Sequence, residues 1–257
     1  MNAAHGSPRS LLYDERTEDR LYFLALATDY DGTIAHDGVV DEGTTAALQR
    51  FKATGRRLIL VSGRQLPDLR RAFAALDIFD RVVAENGASL YDPSTQEERL
   101  LASPASMQLM EALRARRVWP LSVGSCIVAT WKPHEKTVLE AIRDLGLELQ
   151  VTFNKGAVMV LPAGVNKASG LAAALIDLRL SPLNVIGVGD AENDQTFLNG
   201  CGCSAAVANA LPAVKDNVDI VLQRDHGAGV AELISLLCRD EAALVPPTRH
   251  TISPDKT

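Results

Sequence analysis

The chain has 257 residues, 47% hydrophobic and 23% charged, with a formal net charge of −6. That length is enough for one large domain or two modest ones around a well-buried core, and the acidic balance excludes general nucleic-acid binding, which needs a basic surface. No apolar run is long enough to span a membrane, and residues 1–20 lack the apolar core of a signal peptide, so a cytoplasmic protein is expected.

The first strong element is residues 21–28, LYFLALAT, a continuous apolar run ending in Asp29-Tyr30-Asp31-Gly32-Thr33. A run of that length closed by a turn signal suits a strand buried on both faces. Residues 41–54 read as a helix, with Ala46, Ala47, Leu48 and Phe51 at helical spacing and Gly55 as its stop. A second strand, 57–61 (RLILV), ends in Ser62-Gly63-Arg64; a helix over 67–76 follows. A third strand, 81–84, ends in Glu85-Asn86-Gly87. Strand and helix in alternation predict a parallel sheet covered by helices. The polar stretch 91–99 (YDPSTQEER) reads as the exit from this unit.

The next seventy or so residues have a different rhythm, within the range of a small domain. Helices are expected over 105–116 and 135–145, and strands over 125–131, 147–153 and 157–161, the last two paired around Asn154-Lys155-Gly156. The earlier rhythm then returns: a helix over 167–178, a strand over 184–188 ending in Gly189-Asp190, and a helix from Gln195 to Leu198. Short strands at 203–207 and 219–221, a helix around 213–215 and a closing helix over 230–237 complete it. The expected fold is α/β, a Rossmann-like doubly wound parallel sheet core with an inserted small α+β cap domain. Residues 21–90 and 163–240 form the core, 91–162 the cap, and 1–20 and 241–257 polar flanks. Cys126, Cys201, Cys203 and Cys238 show no metal-ligand spacing beyond one C-x-C pair and are expected to be buried, reduced thiols.

Ligands of open parallel sheets bind beyond the carboxyl ends of the strands. Those ends carry Asp29 and Asp31, then Ser62, then Asp190, Asn193 and Asp194, with Lys167 opening a helix nearby. So many carboxylates at one edge are costly unless a cation and an anion are shared among them. An all-oxygen set suits magnesium. Asp29 and Asp190 are expected as direct ligands, with Asp31 contributing its backbone carbonyl and Asp194 or Asn193 acting through water. Asp29 is placed to attack phosphorus, forming an aspartyl-phosphate, and Asp31 to protonate the leaving alkoxide and then activate water. Ser62 and the Gly63 backbone would grip phosphate oxygens, and Lys167 would neutralise developing charge.

Asp29-Tyr-Asp-Gly-Thr33, Ser62-Gly-Arg64, Lys167 and Gly189-Asp-Ala-Glu-Asn-Asp194 resemble, in order, the four motifs of the haloacid dehalogenase-like phosphatases. Glu85-Asn86-Gly87-Ala88, Val207-Ala-Asn-Ala210 and Gly227-Ala-Gly-Val230 look like its Cof-like branch, whose cap is inserted between the second and third motifs. The short cap is similar to those of phosphoglycolate, sucrose-phosphate and trehalose-phosphate phosphatases; Tyr30 also occurs in the last group. The resemblance covers residues 21–238 and implies a nucleophile at Asp29 and an acid/base at Asp31. It implies phosphate binding by Ser62 and Lys167 and magnesium held by Asp190 and Asp194. Thr33, Asn193 and Arg64 are supporting residues, Arg64 orienting its loop. The expected function is hydrolysis of a small phosphorylated metabolite, phosphoglycolate or a sugar phosphate, with no nucleic-acid or membrane partner and no oligomeric state specified. The alternatives are a phosphomutase of the same fold and a phosphate-binding regulatory module. In the cap, Trp131, Lys132, His134, Asn154 and Lys155 are read as surface or packing residues, with contact to the site left open.

Overall fold

The computed structural model describes residues 22–239; the N-terminal segment with Leu21 and the tail from residue 240 lie outside the described residues. The central unit begins with β1 (Ala25–Thr28), α1 (Glu42–Ala53), β2 (Arg57–Val61), α2 (Leu66–Ala72) and β3 (Arg81–Ala84). Helix α1 starts where the Asp41 carboxylate accepts the Thr44 N–H at 2.8 Å, and it buries Ala47, Leu48 and Phe51. Strands β2 and β3 lie parallel, beside β1 in the order β1-β2-β3.

The chain then departs from the expected boundary at residue 91. Strands β4 (Ser89–Asp92) and β5 (Glu97–Leu100) form an antiparallel hairpin that extends the central sheet beyond β3. The segment 91–99 is therefore an edge of the core sheet rather than the way out of it. The reason is physical: Leu90 and Tyr91 bury against the core while the edge strand Glu97–Leu100 faces solvent along its whole length, so its sequence is polar.

The inserted unit follows: α3 (Met107–Ala115), β6 (Ser122–Val123), β7 (Val128–Trp131), α4 (Glu135–Asp144), β8 (Leu149–Asn154) and β9 (Ala157–Pro162). Its four strands form an antiparallel sheet in the order β6-β7-β9-β8. Val128, Val158 and Val160 pack with Leu109, Leu113, Val138 and Ile142 of the two helices. The alternate residues Met159 and Leu161 form a second cluster with Ala88, Cys126 and Ile127 at the crossing between units. This is the period-two alternation of a sheet covered on both faces.

Returning to the core, the chain adds α5 (Lys167–Leu178), β10 (Val185–Gly189), α6 (Gln195–Leu198), β11 (Cys203–Ala206), α7 (Pro212–Lys215), β12 (Ile220–Val221) and α8 (His226–Arg239). The full sheet runs β12-β11-β10-β1-β2-β3-β4-β5. Strand β1 sits at the centre, with β2 on one side and β10 on the other, both parallel to it. Succession moves outward in opposite directions from β1, and right-handed crossovers then place helices on both faces. Accordingly α1 packs with α8, and α5 with α6. The expectation of four buried thiols holds for Cys126 and Cys203; Cys238 is exposed because it lies in the last turn of α8, beyond its packed stripe. No described helix is long and apolar enough to cross a membrane.

Candidate active site

The site forms where β1 meets its two parallel neighbours. In register, Thr28 lies opposite Val188 on one side and Leu60 on the other, and the Asp29 N–H donates to the Val188 carbonyl at 3.0 Å. The residues that follow the three strands, Asp29, Asp190 and Ser62, are thereby brought to one edge. Three carboxylates, Asp29, Asp190 and Asp194, present ligand oxygens within 4.8 Å of one another, and all are buried.

Each member has a definite partner. The Lys167 ammonium, 2% exposed, donates to Asp29 Oδ1 at 2.5 Å and to Asp194 Oδ1 at 2.6 Å. Its position follows from a capping box: Asn166 Oδ1 accepts the Ser169 N–H and Ser169 Oγ accepts the Asn166 N–H, each at 3.0 Å, which starts α5 at Lys167. Asp194 Oδ2 accepts the backbone N–H groups of Asp190 and Ala191, each at 2.9 Å. Asp194 therefore folds its own loop with one oxygen and anchors Lys167 with the other. The Thr33 hydroxyl bridges Asp190 Oδ1 at 3.0 Å and Asp29 Oδ2 at 3.3 Å. Gly32 reverses the chain between them at φ +87°, and its carbonyl is held by Asn209 Nδ2 at 2.7 Å and His226 Nδ1 at 3.0 Å.

The electrostatics follow from burial. Desolvation, then the like charge of Asp194, raises the Asp29 carboxyl well above its ordinary value, with Lys167 opposing. Desolvation also raises Asp190 against the hydrogen bond from Lys155. Burial works against the Lys167 ammonium, but Asp194 and Asp29 outweigh it and hold it charged. When ionised, three carboxylates faced by two ammonium groups leave one unit of negative charge in a desolvated cluster. In the loop that carries Asp190 and Asp194, Asn193 Oδ1 is buried without a hydrogen-bond partner among the described residues, while its Nδ2 donates to Asn86 Oδ1 at 2.9 Å. An all-oxygen, net-negative set with a spare acceptor fits a hard divalent cation.

Asp31 stands apart from the acidic cluster. Just before the turn that Gly32 starts, its carboxylate takes a bidentate grip from Arg64, at 2.6 and 2.7 Å. Arg64 lies over the Tyr30 ring, 5.0 Å from its centroid, and Tyr30 is fully buried with its hydroxyl on the Gly38 carbonyl. Ser62 is buried, and its Oγ accepts the Arg64 N–H at 3.1 Å; Gly63 lies between them at the mouth of a cleft. That cleft, about 300 Å³, lies between Gly63–Arg64 and the cap residues Trp131 and Met159. A second, about 410 Å³, is bounded by Asn86, Lys167, Asn193 and Phe153.

Of the five cap candidates, Lys155 enters the cluster: its ammonium donates to Asp190 Oδ2 at 2.6 Å. Burial disfavours that charge, but Asp190 more than offsets it and the Lys155 pKa is raised. Trp131 lines the smaller cleft, Asn154 carries a buried Oδ1 with no hydrogen-bond partner among the described residues, the His134 ring meets the Trp119 carbonyl at 3.0 Å, and Lys132 is exposed. The reading of Lys155 as a surface or packing residue overlooks this contact, which no local pattern announces. Glu85 and Asn86 at the crossing have structural work. Glu85 accepts the N–H groups of Ser125 and Cys126 at 2.8 Å and of Ile127 at 3.2 Å, and the Asn86 N–H donates to Ser62 O at 3.0 Å. Asn209, inside Val207-Ala-Asn-Ala210, was signalled only by that motif.

Residues 26–123 and 121–234 match the model of the haloacid dehalogenase-like hydrolases. The chain belongs to that family. It is 30% identical over 225 residues to a phosphoglycolate phosphatase of Methanothermobacter thermautotrophicus, covering 82% of this chain and 96% of that one. It is 25% identical over 237 residues to a 5-amino-6-(5-phospho-D-ribitylamino)uracil phosphatase of Bacillus subtilis, covering 81% and 93%. The fold is shared with a haloacid dehalogenase-like hydrolase from Bacteroides thetaiotaomicron (TM-score 0.69, 18% identity, 83% and 98% covered) and the sucrose-phosphatase of Synechocystis (TM-score 0.64, 18%, 84% and 98%). Within its family the chain is an enzyme of the phosphatase branch, as the Cof-like motifs imply.

Proposed function

We propose that the protein hydrolyses a small phosphomonoester, phosphoglycolate or a sugar phosphate, with magnesium and through an aspartyl-phosphate on Asp29. The observation that carries this is the buried Asp29–Asp190–Asp194 cluster bridged by Lys167. Asp29 and Asp190 have the oxygens to hold the ion, with Asn193 Oδ1 as a further acceptor; Asp194 is occupied in folding the loop. Bound magnesium supplies charge neutralisation and polarises the phosphoryl group.

Asp29 is the nucleophile: it sits at the strand end, and the Lys167 ammonium on its Oδ1 favours the charged form against burial. Attack on phosphorus forms the Asp29–phosphorus bond and breaks the bond to the ester oxygen. Lys167 and Ser62 with the Gly63 backbone hold the phosphoryl oxygens. Asp31 protonates the leaving oxygen and then takes a proton from the water that frees inorganic phosphate. That role requires it to turn from Arg64 toward the cleft, and its partly exposed side chain has room to do so.

The test is phosphate release from a panel of phosphomonoesters, with and without magnesium. Magnesium-dependent release that disappears in Asp29→Asn, with the fold intact by circular dichroism, is the expected result. Transfer of the phosphoryl group to a second sugar position without free phosphate would overturn hydrolysis in favour of a mutase.

A further inference from the structure

Lys155 occupies the tip of the β8–β9 hairpin. Asn154 pairs with Ala157, so the connection is the two residues Lys155 and Gly156, at φ +47° and +92°. Such a turn favours Asn, Asp or Gly at its first position, because other side chains are strained there. A lysine at this position therefore carries a conformational penalty with no local return. Its ammonium instead reaches 2.6 Å from Asp190 Oδ2 and hovers over the nucleophile loop, 2.7 Å from where a Cβ on Gly32 would lie.

Among the described residues, three cations meet the site. Lys167 is fixed by two carboxylates deep in the core, and Arg64 is matched in both arms by Asp31. Lys155 donates to a single carboxylate, Asp190, which is suited to holding the metal, whereas Lys167 keeps Asp194 if the ion takes Asp29. Lys155 is also nearly half exposed, on a flexible stem. An ion held by Asp190 would compete with Lys155 for that carboxylate, and the half-exposed ammonium would be free to turn toward an anion between cap and core.

Resting on the phosphatase reading, we infer that Lys155 exchanges Asp190 for a carboxylate on the leaving group, and selects small phosphomonoesters that carry such a second anionic group over those with neutral alcohols. The reacting atoms are untouched by this contact; Lys155 is a specificity residue.

Two measurements test it on the full chain. Magnesium titrated calorimetrically without substrate reads the exchange: Lys155→Met, freed of a competing cation, should bind the ion several-fold more tightly, and equal or weaker binding would overturn the exchange. Steady-state rates on phosphoglycolate and phenyl phosphate read selectivity. The ratio of their kcat/KM values should fall about tenfold or more in Lys155→Met, the range of a charged hydrogen bond, and recover substantially in Lys155→Arg. An unchanged ratio in an active enzyme would overturn Lys155 as selector. No phosphate release from any ester by the wild type would instead overturn the phosphatase reading, and the selectivity with it; the metal titration still judges the exchange on its own.

Discussion

Glu85 is 2% exposed and accepts three backbone N–H groups from the inserted unit at Ser125, Cys126 and Ile127. Its own N–H donates to the Arg64 carbonyl, so one residue ties the cap to the loop that follows β2. Glu85→Gln keeps the shape and replaces one acceptor oxygen with a donor. The least damaging orientation puts the amide NH₂ at the Oε1 site, retaining the contacts of Cys126 and Ile127 and leaving the Ser125 N–H facing another donor. Stranding one donor costs about 1–3 kcal/mol; a neutral amide is easier to bury than a carboxylate, which trims this but does not restore the bond. At about 2 kcal/mol, and with about 2–4 °C per kcal/mol for a protein of this size, the melting temperature should fall by about 4–8 °C. Thermal unfolding followed by circular dichroism reads the loss, and hydrogen exchange reads its place: Ser125–Ile127 should exchange faster than the strands of the central sheet. Unchanged melting together with unchanged exchange at those three amides would refute the argument that Glu85 holds the cap.

Further expectations follow from the buried cluster. Lys167→Met strands Asp29 and Asp194 without their shared cation; the metal-free protein should lose about 3–5 kcal/mol in urea unfolding and phosphate release should vanish. Gly32→Ala places a Cβ 2.4 Å from Asp190 Oδ2 at a φ of +87°, and a displacement of that order should lower kcat/KM about 100-fold while global stability changes less than in Lys167→Met. Burial, then Asp194, lifts Asp29 well above 3.8, and burial lifts Asp190. Between 3.8 and those raised values the folded metal-free protein retains protons that the unfolded chain has released. These two groups therefore make its stability fall as pH rises through that window. Magnesium displaces the same protons, so its affinity should rise with pH there; melts with and without metal across a pH series check both signs, and a metal stabilisation that shrinks with rising pH would contradict them.

The elements that the sequence made legible are those whose burial writes a pattern. Strands β2 and β3 and helix α5 begin and end at the expected residues, and α6 begins at Gln195 as expected, because both strand faces are buried and the helices carry caps or apolar stripes. The β4–β5 hairpin escaped because Glu97–Leu100 is an exposed edge held by backbone pairing, which leaves no apolar signature. At the site, Asp29, Asp190 and Asp194 were foreseeable from strand ends, and Lys167 from the start of the helix beside them. The Arg64 grip on Asp31 was not, since it depends on how two loops 33 residues apart fold back on each other. Lys155 was harder still: its contact with Asp190 joins two units through a long side chain, and adjacent residues carry no trace of it.

In the proposed reaction Asp29 takes the phosphoryl group. This step is tested most directly by mixing the protein with magnesium and a substrate it turns over, quenching in acid within a turnover, and mapping phosphorylation by peptide mass spectrometry. A hydroxylamine-labile phosphate is expected on Asp29, absent without magnesium and absent in Asp29→Asn. Rapid turnover with that peptide unmodified at every quench time, or a phosphate carried on another residue, would contradict this step.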